Sequence, residues 1–364
     1  MKIKEITNYL ESIAPLAYQE SYDNSGLITG DANAELKKIL VTLDVTEEVL
    51  DEALREKCNL VVAHHPIIFG GIKKLNGKNY VERVVIKAIK NDIAIYAIHT
   101  NYDNVIEGVN AMICEKLGLV NFKILLPKKN QLKKLYTFIP LQDYDKVSRA
   151  VFEAGAGYIG NYSETGFSTQ GTGTFKGNEK SNPKIGVKHV LEKVEEVKFE
   201  TIFPSAIESK VIAALLQSHP YEEVAYDIVS LDNAFSKTGS GMIGELKIET
   251  DETAFLKSVK KNLNTKSIRH TKLLGKKIKR VAVCGGSGRF LLNNAIAVGA
   301  DIFITSDFKY HDFFDADGKI VVADVGHYES EQFTRDLLAL RLSEKFPIIA
   351  PLISKINTNP VNYL

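Results

Sequence analysis

Three short segments bring imidazoles together with carboxylates or with one another. They are His64-His65-Pro66, the stretch HTNYD from His99 to Asp103, and the stretch GHYESE from Gly326 to Glu331. Imidazole nitrogen and carboxylate oxygen together form a donor set that suits zinc, iron or manganese better than magnesium or calcium. His327 and Glu331 are four residues apart, so on a helix they share one face. Asp103 offers two oxygens that could bridge a pair of cations. His99 could be a ligand or a residue that orients one. Each segment alone is weak evidence. A strand-end histidine is often only packed or solvated, a lone Asp is often a turn or cap, and polar pairs at this spacing are common on solvated helices. Their combination carries the argument, because all three fall at the carboxyl ends of expected strands, where open α/β sheets place their sites. His189 and His219 have no comparable setting.

The elements that must position these residues can be read from hydrophobic period. KKILVTLDV reads as a buried strand ending near Asp44, and TEEVLDEALREKC as a helix with Thr46 at its N-cap. NLVVAHHP is an apolar run stopped by Pro66, hence a strand. A helix over YVERVVIKAIKNDI, a strand over AIYAIHTNYDN and a helix over GVNAMICEKLGL follow. The C-terminal part repeats the plan. The strand KRVAVCGGSG enters the Gly285-Gly286-Ser287-Gly288 turn, RFLLNNAIAVGA is helical, and DIFITSD and KIVVADVGH are strands. YESEQFTRDLLALRLSEKF reads as one long helix. The interval from Asp44 to His64 is close to that from Gly285 to Ser306, a weak internal repeat of one strand–helix–strand unit. The expected class is α/β, with two similar units forming one core around a shared cleft. The middle of the chain reads strand–helix–strand–strand–helix–strand, a recurrent α+β arrangement. The expected domains are therefore a core over residues 1–129 and 232–364, interrupted by an inserted α+β domain over 130–231.

With 46 basic and 45 acidic residues, the chain has neither the excess nor the stripe of positive charge that nucleic-acid binding calls for. Its N-terminus is amphipathic and charged, without the apolar core of a signal peptide, and no apolar run reaches the length of a membrane span. Cys58, Cys114 and Cys284 are far apart, which argues against a disulfide framework or a zinc knuckle and for three packed thiols. A cytoplasmic location is expected.

These stretches resemble the Nif-three-like dinuclear-metal family, whose bacterial members are commonly called GTP cyclohydrolase 1 type 2 homologues. The similarity rests on the YDNSGL stretch from Tyr22 to Leu27, on His64-His65-Pro66, on His99 to Asp103, and on Gly326 to Glu331, in that order. Tyr22 stands where the family often has Trp. The resemblance implies two divalent metal ions held by His64, His65, Asp103, His327 and Glu331, with Asp103 bridging, and a toroidal homohexamer. It also implies that the inserted domain is of the PII or CutA type. The segment TSDFKYH from Thr305 to His311 resembles a family stretch beside the site and makes His311, with His99, a candidate acid or base.

Two functional readings follow. In the first, paired cations about 3.5–4 Å apart lower the pKa of a shared water, which suits hydrolysis at a purine C8 or a phosphoryl group. His99 or His311 would move the proton. The partner would be a nucleotide or other phosphoester. In the second, the metals serve a non-catalytic regulatory or scaffold protein whose inserted domain recruits a ligand or partner. The Gly285–Gly288 turn could receive an anionic group at the following helix, although a tight turn is the simpler account.

Overall fold

Short runs of β-branched and other apolar residues form the central strands. The strands ILVT, LVVA and AIYA are buried along their whole length, which fits strands covered on both faces. The computed structural model describes residues 1–364. The chain divides into two units, one made of Met1–Pro127 with Ser236–Leu364, the other of Lys128–Phe235.

The first unit holds two sheets. In one, the strands lie in the order Gly26–Thr29, Ala94–Ala97, Leu60–Ala63, Ile39–Thr42 and Leu352–Ile353. The three central strands run parallel, with Thr42 level with Ala63 and Ala63 level with Ala97. The other sheet has the order Arg269–His270, Val321–Asp324, Ile302–Ser306, Lys277–Ser287, Phe235–Asp251 and Leu119–Lys128. Its central strands are also parallel, with Ser287 level with Ser306 and Thr305 level with Asp324. Parallel pairing puts the carboxyl ends of the central strands on one edge, so the segments after Thr42, Ala63 and Ala97 emerge side by side. The segments after Ser287, Ser306 and Asp324 do the same. This is the α/β class expected from the alternation of elements.

Helix boundaries follow local chemistry. Thr46 caps the helix Glu47–Glu56 by accepting from the Val49 N–H at 3.3 Å, and Asn79 caps Tyr80–Lys90 by accepting from the Glu82 N–H at 2.9 Å. These helices bury Val49, Leu50, Ala53, Val84 and Ala88 against Val61 and Ala63. In the second sheet Leu291, Leu292 and Ala295 pack with Phe303, Phe308 and Val322. One expected element differs. The long helix after His327 is broken into His327–Glu331 and Thr334–Lys345. The short piece lies against the strands Lys277–Ser287 and Ile302–Ser306, and the longer one against Ile39–Thr42 and the helix Val109–Lys116. One straight rod does not serve both surfaces, and the change of direction falls at Gln332, whose amide donates to the Leu263 carbonyl at 2.9 Å.

The second unit is an antiparallel sheet in the order Gly166–Phe175, Glu192–Pro204, Leu132–Pro140 and Tyr226–Leu231. The helices Tyr144–Glu153 and Glu208–Ser218 complete its core, in which Val147, Val151, Val211 and Leu215 meet Leu135, Ile139, Phe199 and Phe203.

Phe303 is fully buried in the centre of the second sheet. Phe303→Ala should lower unfolding free energy by about 3–5 kcal/mol, read from urea denaturation. A midpoint at the wild-type value would show that this layer does not support the fold.

Candidate metal centre

Beyond Ala63 the parallel pairing continues for two residues. The His64 N–H donates to the Thr42 carbonyl at 3.2 Å and the His65 N–H to the Leu43 carbonyl at 3.0 Å. This extension carries both imidazoles to the sheet edge, with ring centroids 4.8 Å apart. His64 is completely buried. Its Nδ1 lies 2.8 Å from the Ile98 carbonyl oxygen, which can only accept, so Nδ1 bears the proton. Nε2 then presents a lone pair toward Asp103 Oδ1 at 3.6 Å and Glu331 Oε1 at 3.9 Å. Neither His64 Nε2 nor Asp103 Oδ1 has a hydrogen-bond partner, although both atoms are buried. Acceptors facing acceptors in a buried space are costly unless a cation or proton lies between them.

Glu331 is the hub. Its carboxylate is 2% exposed and lies 3.0 Å from His65 Nε2 and 3.1 Å from His327 Nε2. Burial pushes its pKa up, but the neighbouring His327 and the other imidazoles hold it well below the usual carboxylate value. His327 is pulled up to about 11, first by the charge of Glu331 and then by its contact with Asp307. Burial disfavours the charged form of His65, yet Asp44 and Glu331 raise it to about 9. Asp103 is pushed up to about 7 by burial and by the charge of Glu331.

Three further carboxylates orient the imidazoles, each on a ring Nδ1. Asp44 accepts from His65 at 2.7 Å, Asp307 from His327 at 2.6 Å, and Asp23 from His99 at 2.7 Å. Each is itself braced by a hydroxyl. Thr358 donates to Asp44 at 2.6 Å, Ser287 donates to Asp307, and Ser25 and Thr100 donate to Asp23. A carboxylate on the far nitrogen fixes the tautomer and aim of a metal-binding imidazole. The chain therefore has carboxylates placed to orient these imidazoles as well as groups that could hold a metal ion.

The glycines after Cys284 serve packing. The N–H groups of Gly285, Gly286 and Gly288 donate to Asn110 Oδ1, Ser330 Oγ and Thr305 Oγ1, which leaves none of these three for a phosphate. The following helix, Leu292–Ala297, has six residues. Gly286 has φ +60°, and a Cβ there would sit 2.4 Å from Glu331 Oε1. The thiols of Cys58, Cys114 and Cys284 are free and buried. Burial, then Asp103 and Glu331, push the Cys284 thiol up, which disfavours a nucleophilic thiolate beside the centre.

The structure thus gathers His64, His65, Asp103, His327 and Glu331, all but the buried His64 lining a cleft of about 1000 Å³. His99 joins them, its ring 5.3 Å from His64 and 5.2 Å from His65. His311 does not. It is exposed, packs against Tyr310 and Phe314, and is absent from the cleft lining. The turn after Asp307 carries it outward. Asp23, Asp44 and Asp307 were not singled out from the sequence. Their signal is position, since each follows a strand end or lies in a stretch shared with the family. The donors fit divalent cations, with nitrogen and oxygen atoms within 4.8 Å of one another in three overlapping groups.

Comparison with known proteins bears on this geometry. The model of the Duf34/NIF3 (NGG1p interacting factor 3) family matches residues 1–360. The chain belongs to the Duf34/NIF3 family. A Bacillus subtilis relative named GTP cyclohydrolase 1 type 2 homolog is 38% identical, covering 99% of this chain and 98% of that protein. A Bacillus cereus crystal structure, described as related to NIF3, superposes with TM-score 0.86 at 38% identity, covering 100% of this chain and 99% of that one. A Staphylococcus aureus structure does so with TM-score 0.79 at 31% identity, again covering 100% and 99%. No helix is long and apolar enough to cross a membrane.

The raised imidazoles give a pH dependence to the metal-free protein. A pKa raised on folding stabilises fully below the unfolded value and is lost as pH climbs through the folded one. For His65 that window runs from 6.5 to about 9, and for His327 from 6.5 to about 11. The lowered pKa values of Asp44 and Asp307 act oppositely, at acid pH. The melting temperature of metal-free protein should therefore fall between about pH 7 and about pH 10, and His65→Gln should flatten that slope. A slope unchanged by the substitution would contradict the proposed charge pairing.

Proposed function

We propose that this chain binds two divalent metal ions, of zinc, iron or manganese, through His64, His65, Asp103, His327 and Glu331. We further propose that it is a metal-dependent hydrolase acting on a nucleotide or another phosphoester. The observation that carries the first part is the facing set of buried acceptors, His64 Nε2 and Asp103 Oδ1, each without a partner. Divalent cations, when bound, supply Lewis acidity and lower the pKa of water toward neutrality. The chain's own residues do the rest. Asp44, Asp307 and the Ile98 carbonyl hold the three imidazoles with Nε2 turned inward. Asp23 fixes the proton of His99 on Nδ1, which leaves Nε2 as the atom that can take up or return a proton at the cleft. The relatives' name, GTP cyclohydrolase 1 type 2 homolog, supports a nucleotide as the first substrate class to test. The same reading takes residues 130–231 as an inserted PII- or CutA-like domain and the assembly as a toroidal hexamer.

His65→Ala and Glu331→Ala should each reduce metal content at least about five-fold, read by elemental analysis, because each removes a charge or donor from the centre while the buried sheets remain. Wild-type metal content in both variants would remove the ligand assignment. Metal-loaded protein should hydrolyse GTP or a generic phosphoester. Loaded protein without any such activity would leave the non-catalytic, regulatory reading.

A further inference from the structure

The cleft around this centre is strongly one-sided in charge. Seven of its lining residues are Asp or Glu, and one, Arg269, is a Lys or Arg. Arg269 lies on the two-residue strand Arg269–His270, level with Asp324 of the neighbouring strand. Asp324 is three residues before His327, and Arg269 lines the same cleft as the centre. Its Nη2 donates to the Asp324 carboxylate and, at 3.0 Å, to the Phe308 carbonyl. Its guanidinium carbon lies 5.5 Å from the Phe313 ring centroid, which helps fix the plane.

A buried carboxylate explains part of this arrangement, but not all. Asp324 already accepts from the Phe308 N–H at 3.0 Å and the Gly326 N–H at 3.1 Å. An arginine used only to pair a carboxylate commonly spends its two-nitrogen fork on it. Here Nη2 alone serves Asp324 and Phe308. Nε and Nη1 make no hydrogen bond to the protein, and the side chain is 58% exposed. A guanidinium keeps its charge at physiological pH, and its free N–H groups can each donate to a phosphate oxygen. Apart from bound cations, the rest of the lining is mainly acidic and offers a phosphate no other Lys or Arg.

We infer that Arg269 binds a phosphoryl group of a phosphorylated ligand by its charge and by a single N–H donor, from Nη1 or Nε, while the rest of that ligand reaches into the His64–Glu331 centre. The inference rests on the reading of the cleft as a metal-dependent hydrolase site and narrows its substrates to those bearing a phosphate at the position Arg269 reads. Arg269 is then a specificity residue and holds no metal.

The test is calorimetric binding of guanosine 5′-monophosphate and of guanosine to metal-loaded, full-length protein, with metal content measured on the same samples. R269Q should keep wild-type metal content, lose about ten-fold or more in affinity for the monophosphate, and change less than about two-fold for guanosine, because it removes the positive charge that meets the phosphate. R269K preserves the charge beside Asp324 and so guards against a folding failure in R269Q; its affinity for the monophosphate should fall by about three-fold or more. Wild-type monophosphate affinity in either folded variant would overturn the inference and leave the metal reading standing, as would a wild-type protein that binds metal but no monophosphate. Loss of metal along with the monophosphate in R269Q would also overturn it. A wild-type protein unable to take up metal would instead overturn the underlying reading of the site.

Discussion

Burying the carboxylate of Glu331 sets the terms for everything around it. A carboxylate taken out of water costs several kcal/mol unless opposite charge and hydrogen bonds surround it, and removing one partner of such a group is far more damaging than never having built it. In this chain His65 and His327 lie within 3.1 Å of Glu331 and His64 within 3.9 Å. Each of these imidazoles has its other nitrogen committed elsewhere. The imidazoles cannot turn away from the carboxylate without breaking those second contacts. The geometry is held before any ligand arrives, which is the condition for a tight metal site.

That preorganisation comes from two sheets whose parallel central strands end at the same cleft. One supplies Asp44, the histidine pair and the His99–Asp103 segment. The other supplies Ser287, Asp307 and the His327–Glu331 turn of helix. Residues remote in sequence also contribute, since Thr358 reaches Asp44 and Asn359 donates to Glu329 at 3.0 Å. The conformational freedom of Gly286 lets the second sheet approach Glu331 closely enough to close the arrangement. The hydroxyl–carboxylate–imidazole chains repeat three times, which suggests a single physical solution to aiming a histidine, used at each strand end.

Much of the fold and the centre could be read from the sequence, because the signals were local. Apolar runs ended by His64 or His99 mark strands and their functional ends at once, and the spacing of His327 and Glu331 gives their common face. What was not legible depended on tertiary placement. Asp23, Asp44 and Asp307 look like ordinary turn residues until the fold sets each one against a ring nitrogen. Arg269 lies in a stretch with no periodicity, and only the fold sets it beside an acidic cleft. His311 is the converse case, a chemically suitable residue near the site in sequence that the fold leaves exposed and outside the cleft lining. The break at Gln332 was hidden because helical propensity continues through it while the two surfaces that the segment must cover do not align.

The central claim is that a pair of cations occupies the space enclosed by His64, His65, Asp103, His327 and Glu331. Crystals of the purified protein, measured on both sides of the absorption edges of zinc, iron and manganese, address it directly. The account predicts two anomalous peaks within that enclosure. A well-ordered enclosure without anomalous density after metal soaking, or density confined to some other part of the chain, would contradict it.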